Sequence, residues 1–132
     1  MAVRSALEYA TQSWHGAGVD PEICNTGEQV LAEVLNNVVE HAQAGRPDGQ
    51  IELDTRLRND GVICAVRDDG AEMPGQELPE GKIHDLAMGR DDLPEGGFGW
   101  YMIHTLTEDL RYERQNGWNR LEFRITRDHD TL

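Results

Sequence analysis

Four polar side chains recur at helical spacing within one strongly periodic stretch: Glu33, Asn36, Asn37 and Glu40. At about 100° per residue they share a narrow face, opposite much of the aliphatic stripe formed by Ile23, Val30, Leu31, Val34, Leu35, Val38, Val39 and Ala42. An amide oxygen from Asn37 is a hard ligand suited to magnesium, and Glu33, one turn earlier, can accept a proton. Taken alone, the ridge is equally the solvated face that every amphipathic helix needs.

Two further segments carry usable chemistry. The apolar run Val62 to Val66 leads into Arg67-Asp68-Asp69-Gly70, which sets a carboxylate at the end of a buried strand and a glycine where the backbone must turn. If Asp68 points inward, it can accept a hydrogen bond from an exocyclic amino group and so select adenine over a base with a carbonyl there. Asp-Asp-Gly is also an ordinary turn. Later, Gly96-Gly97-Phe98-Gly99 precedes a helical stretch from Trp100 to Leu106. Small residues there let a phosphate chain approach the free amides of a helix N-terminus, although a hinge would use the same residues. The chain has no G-x-x-x-x-G-K-S/T sequence, and Lys82 does not follow a glycine-rich strand exit, so a Walker-type phosphate loop is excluded.

The elements that must hold these residues follow from periodicity and punctuation. Ala2 to Trp14 has helical character; after Gly16 and Gly18, Asp20-Pro21 supplies an N-cap and first-turn pair for the second helix, which stops at Gly45 and Pro47. Ile51, Leu53, Thr55 and Leu57 alternate along a strand, Asn59-Asp60-Gly61 turns the chain, and Val62 to Val66 is the partner strand. Ala71 to Glu95 is rich in Pro, Gly and charge, as expected of a mobile loop. A helix starting at Gly97 or Gly99 is followed by strands at Leu110 to Glu113 and Leu121 to Ile125, joined through Asn116-Gly117. The expected fold is α+β: a two-layer α/β sandwich whose mixed, largely antiparallel sheet is covered by helices on one face.

Composition narrows the function. The chain has 132 residues, 38% of them apolar, which suits one domain spanning residues 1–132. A net charge of −13, with Lys82 the only lysine, disfavours direct nucleic-acid binding; a nucleotide would need local amides, a divalent cation and a few arginines. Cys24 and Cys64 form neither a zinc framework nor a recognisable disulfide scaffold. Met1 to Tyr9 lacks an apolar signal core and no membrane-length apolar run occurs, so a cytoplasmic protein without membrane association is expected.

In their order along the chain, Glu33 to Ala42, Val66 to Gly70 and Gly96 to Gly99 resemble the N, G1 and G2 boxes of GHKL (Bergerat-fold) ATP-binding domains. The resemblance spans most of the chain from the second helix onward. Within that class, the Glu-x-x-Asn-Asn arrangement is most similar to the bacterial serine/threonine kinases that act as anti-sigma factors. It implies ATP and magnesium, with Glu33 as general base and Asn37 holding the metal. It also implies that Asp68 reads adenine, and that Gly70, Gly96, Gly97, Phe98 and Gly99 lie close to the nucleotide. Residues 71–95 become an ATP lid, with Lys82 or Arg90 able to approach phosphates, and His41 a supporting residue. The implied activity is phosphorylation of a small anti-sigma-antagonist protein, with a sigma factor as second partner and a homodimer allowed. An alternative is a nucleotide-sensing module that sequesters a protein without transferring phosphate. A detached histidine-kinase domain fits less well, because Glu33 stands where that group commonly has asparagine. The chain departs from the family pattern in three places. Glu72 replaces the second G1 glycine, Trp118-Asn119-Arg120 replaces a threonine that supports the adenine-reading carboxylate, and a leading strand is not apparent before the first helix. The Asn119 amide can supply the threonine's hydrogen bond, and the missing strand implies a sheet edge that is exposed or supplied by a partner.

Overall fold

The computed structural model describes residues 3–46, 48–73, 75, 78 and 97–127. Most of the expected lid, including Lys82 and Arg90, and also Gly96, lies outside the described residues. Helix α1 (Val3–Gly16) leads into α2 (Pro21–Asn37), which continues without a break as a π-helical turn, Val38–Ala42. Strands β1 (Ile51–Arg58) and β2 (Gly61–Asp68) follow, then α3 (Gly97–Leu106), β3 (Glu108–Gln115) and β4 (Trp118–Thr126).

Helix α2 begins where its cap chemistry says it should. The Asp20 carboxylate accepts a hydrogen bond from the Glu22 N–H at 2.8 Å, and Pro21 takes the first helical position, where no N–H is needed. Its buried stripe, Ile23, Val30, Leu31, Val34 and Leu35, forms the spine of the core. The expected stripe runs too far, however: Val39 lies on the π-helical turn and is exposed.

The four strands among the described residues pair in the order β1-β2-β4-β3, each pairing antiparallel. Strands β3 and β4 are longer than their apolar cores, and Asn116-Gly117 joins them with positive φ at both residues, as a tight hairpin turn requires. Alternation along β2 and β4 sends Val62, Cys64, Val66, Leu121, Phe123 and Ile125 into the core with α2 and with Trp14 of α1. The opposite sheet face is polar. Arg67 pairs with Glu52 and lies 4.7 Å from the Trp118 ring centroid, while Arg111 and Arg120 bracket Glu122. The Arg67–Glu52 pair, with both side chains exposed, adds little stability. Cys24 and Cys64 are both unpaired and buried, and burial pushes the Cys64 thiol up to about 12.

A candidate nucleotide site along the second helix

Helix α2 and its π-helical turn form the rod on which the site is assembled. Glu33 and Asn37 are half-buried, whereas Asn36 and Glu40 are exposed, so the four-residue ridge divides into an inward and an outward pair. The π-helical turn explains part of this division. Its defining bond, from the Gln43 N–H to the Val38 carbonyl at 2.8 Å, inserts one extra residue into the turn and rotates the residues after it out of the α-helical phase. His41 is exposed on the same turn.

At the end of that turn, the Ala42 carbonyl has no helical partner and instead accepts the Ala71 N–H at 2.8 Å. The chain crosses so closely that a Cβ on Gly70 would stand 2.2 Å from the Ala42 oxygen. Only glycine allows this approach without moving backbone. The helix end is therefore closed by the turn that follows β2, and that turn carries Asp68.

Asp68 is 3% exposed. Its Oδ1 accepts hydrogen bonds from the Gly70 N–H and from Asn119 Nδ2, each at 2.9 Å. Both bonds converge on Oδ1, and Oδ2 takes part in neither. The neighbouring Asp69 has a structural task. Its Oδ1 accepts from the Gln50 N–H at 2.8 Å and from Gln43 Nε2 at 3.1 Å, and Arg46 donates to its carbonyl. The Gln50 amide and the Gln43 side chain, aided by Arg46, hold the Asp69 carboxyl below the usual range against a small desolvation effect.

The glycine segment meets the other end of the rod. Helix α3 starts at Gly97, and a Cβ on Gly99 would lie 2.5 Å from Glu33 Oε2. The Glu33 carboxylate thus rests against the first turn of α3, where any Cβ at position 99 would push it aside. Glu33 and Ala42 are nine positions apart, roughly 13 Å of helix, so the Gly99 contact and the turn after β2 stand at two separate points along the rod. Asn37 lies between, with its Nδ2 buried and without a hydrogen-bond partner among the described residues.

The structure thus brings Glu33 to Gly99, and Asp68 and Gly70 to the far end of the same rod. It gives the backbone of Gly97 and Phe98 in α3, while Gly96 lies outside the described residues. Glu72 is exposed.

A model of the histidine kinase-like ATPase domain matches residues 1–125. The chain belongs to that family. This ATPase domain is also similar to named kinases and anti-sigma factors. It is 34% identical over 90 residues to the serine/threonine-protein kinase BtrW of Bordetella bronchiseptica, covering 67% of this chain and 61% of the relative. It is 26% identical over 103 residues to the anti-sigma F factor of Clostridium beijerinckii, covering 76% and 70%. With the serine-protein kinase RsbW of Listeria innocua the identity is 27% over 103 residues, covering 76% and 65%. The matched part of the ATPase domain therefore spans roughly two thirds of these relatives. Among solved structures, the histidine kinase domain of a blue-light activated histidine kinase from Erythrobacter litoralis superposes with a TM-score of 0.54 at 21% identity, covering 81% of this chain and 48% of that one. That likeness bears on the fold, an open antiparallel sheet with helices on one face. Among the described residues, no helix is long and apolar enough to cross a membrane.

Local sequence did not single out Tyr112, Arg114, Gln43 or Asp69 for the site. Tyr112 donates to Asn119 Oδ1 at 2.5 Å and accepts the Met73 N–H at 3.1 Å; Arg114 Nη1 donates to the Gly70 carbonyl at 2.6 Å and to Asn119 Oδ1 at 3.1 Å. A signal was present in the alternation of β3, where Tyr112 and Arg114 share the inward phase with Leu110.

Proposed function

We propose that this chain is the ATP-binding domain of an anti-sigma-type serine/threonine protein kinase, transferring the γ-phosphoryl group of ATP to a hydroxyl on a small anti-sigma-antagonist protein. The observation that carries the reading is the placement of Glu33 against Gly99, at the start of α3, on the same helical rod whose other end closes on the Asp68 turn. The names of the relatives, two kinases and an anti-sigma factor, support it. In this reading residues 1–132 form one ATP-binding domain with its lid at 71–95. Its partners are the antagonist and a sigma factor, it acts in the cytoplasm, and a homodimer is allowed.

Asp68 Oδ2 would accept from the exocyclic amino group of adenine. Gly70 would keep the turn flat beneath the base, and Gly96 to Gly99 would admit the phosphates to the amides that open α3. The Asn37 amide fits a magnesium–phosphate group: it is half-buried, and its Nδ2, which has no acceptor among the described residues, could donate to a phosphate oxygen while its Oδ1 faces the metal. When bound, magnesium would neutralise charge on the phosphates. The chain's own contribution is positional. Glu33 takes the proton from the attacking hydroxyl as its oxygen bonds to the γ-phosphorus, the bond to the bridging oxygen breaks, and ADP leaves.

Replacing Glu33 with Gln tests this directly. ATP affinity should stay within about threefold while transfer falls by about 10² or more. Undiminished transfer would remove Glu33 from the role. ATP-dependent capture of a partner by the wild-type chain, with no phosphoprotein formed, would favour the sequestration module instead.

A further inference from the structure

Asn119 occupies a peculiar position among its neighbours. It is 5% exposed and its amide makes four hydrogen bonds, its full capacity. The two Nδ2 hydrogens go to Asp68 Oδ1 and to the Ala71 carbonyl, both at 2.9 Å. The Oδ1 lone pairs receive the Tyr112 hydroxyl at 2.5 Å and Arg114 Nη1 at 3.1 Å. On one side stand a carboxylate oxygen that already accepts the Gly70 N–H and a backbone carbonyl, both acceptors; on the other stands a guanidinium, which only donates. Turning the amide over would set Oδ1 against two acceptors and Nδ2 against the guanidinium. The hydroxyl alone could adapt, but it already accepts the Met73 N–H at 3.1 Å.

We infer that Tyr112 and Arg114 of β3 are positioning residues for base selectivity: they fix the Asn119 amide, which in turn fixes the Asp68 carboxylate with Oδ2 facing the base. Arg114 braces the same turn a second time through the Gly70 carbonyl, at 2.6 Å. Since Asn119 has no donor or acceptor left over, it offers nothing to the base itself, and its part in the choice at the amino position passes through Asp68. The inference rests on the adenine reading of Asp68 and adds the residues that set how sharp that reading is.

The test compares affinities for ATP and for inosine triphosphate, in which a carbonyl replaces the amino group. Wild type should prefer ATP by about tenfold or more, the discrimination expected when a buried acceptor loses its donor. Tyr112→Phe keeps the ring's packing and removes only the hydroxyl; combined with Arg114→Met it should lower the ATP-to-inosine ratio by about tenfold, with inosine affinity held within about twofold. In an Asn119→Thr background the same pair should lower the ratio by clearly less, because the amide that relays most of their effect is gone and only the Arg114 bond to the Gly70 carbonyl remains. A merely structural role would weaken both nucleotides equally, in both backgrounds. That equal loss, or an unchanged ratio in Tyr112→Phe/Arg114→Met, overturns the proposal while the adenine site stands. A folded wild type that binds neither nucleotide overturns the adenine reading and this proposal with it.

Discussion

Replacing Gly99 with alanine would put one methyl group into the space that the Glu33 carboxylate fills. The added Cβ would meet Oε2 at 2.5 Å, about 0.9 Å short of the 3.4 Å at which ordinary contact begins. The backbone of α3 is less free to move than the end of a glutamate side chain, so the carboxylate must yield. A general base displaced by about 1 Å loses roughly two orders of magnitude in rate. Fold stability should not suffer, because alanine is favoured over glycine in a helix by up to about 1 kcal/mol and Gly99 has no positive φ that alanine would resist. Gly99→Ala is therefore expected to melt no lower than wild type and to transfer phosphate about 10²-fold more slowly. Because the Cβ points at Glu33, ATP affinity should change by no more than about threefold. Single-turnover transfer from γ-labelled ATP, beside calorimetric ATP binding and a thermal melt, separates these quantities. In a Glu33→Gln background the alanine should add little further loss, since the effect passes through the carboxylate. Wild-type transfer rates in Gly99→Ala would refute the reasoning, as would an equal further loss in the Glu33→Gln background.

Two other outcomes are expected from the same geometry. Gly70→Ala would press a Cβ to 2.2 Å from the Ala42 carbonyl, a backbone atom with nowhere to retreat, and should lower stability by about 1–3 kcal/mol in denaturant titration, with weaker ATP binding. Asp69 is held below its unfolded value, so its contribution is complete above the unfolded pKa of about 3.9 and fades as pH falls through the folded one. Asp69→Asn should thus be less stable than wild type near pH 7, with the gap closing as pH drops below about 4 in melts across that range.

Much of the fold was legible in the sequence, for identifiable reasons. Helix α2 announces itself through the Asp20-Pro21 start and a long 3.6-residue stripe, and the β3–β4 hairpin through Asn116-Gly117, because these signals act within a few residues. The three motif segments could be ordered for the same reason. The π-helical turn was not legible: no glycine or proline interrupts Val38 to Ala42, and the contact that closes it comes from Ala71, far along the chain. Nor was the bracing of Asp68, since Asn119 reaches it only through the pairing of β2 with β4, and Tyr112 and Arg114 only through β3 with β4. The start of β3 was hidden too. Glu108 and Asp109 look like loop residues, and Asp109, at φ 55, sits in a register shift that lets the strand begin there.

The central claim is a nucleotide site in which the buried Asp68 reads adenine, and calorimetric titration of ATP into wild type and Asp68→Asn, with and without magnesium, tests it most directly. The asparagine keeps the side chain's shape and an oxygen for the Gly70 and Asn119 donors, but places an amide N–H where Oδ2 should face the base. The expected result is magnesium-dependent binding to wild type that weakens by about tenfold or more in Asp68→Asn. Equal binding to both proteins, or none to a folded wild type, would contradict it.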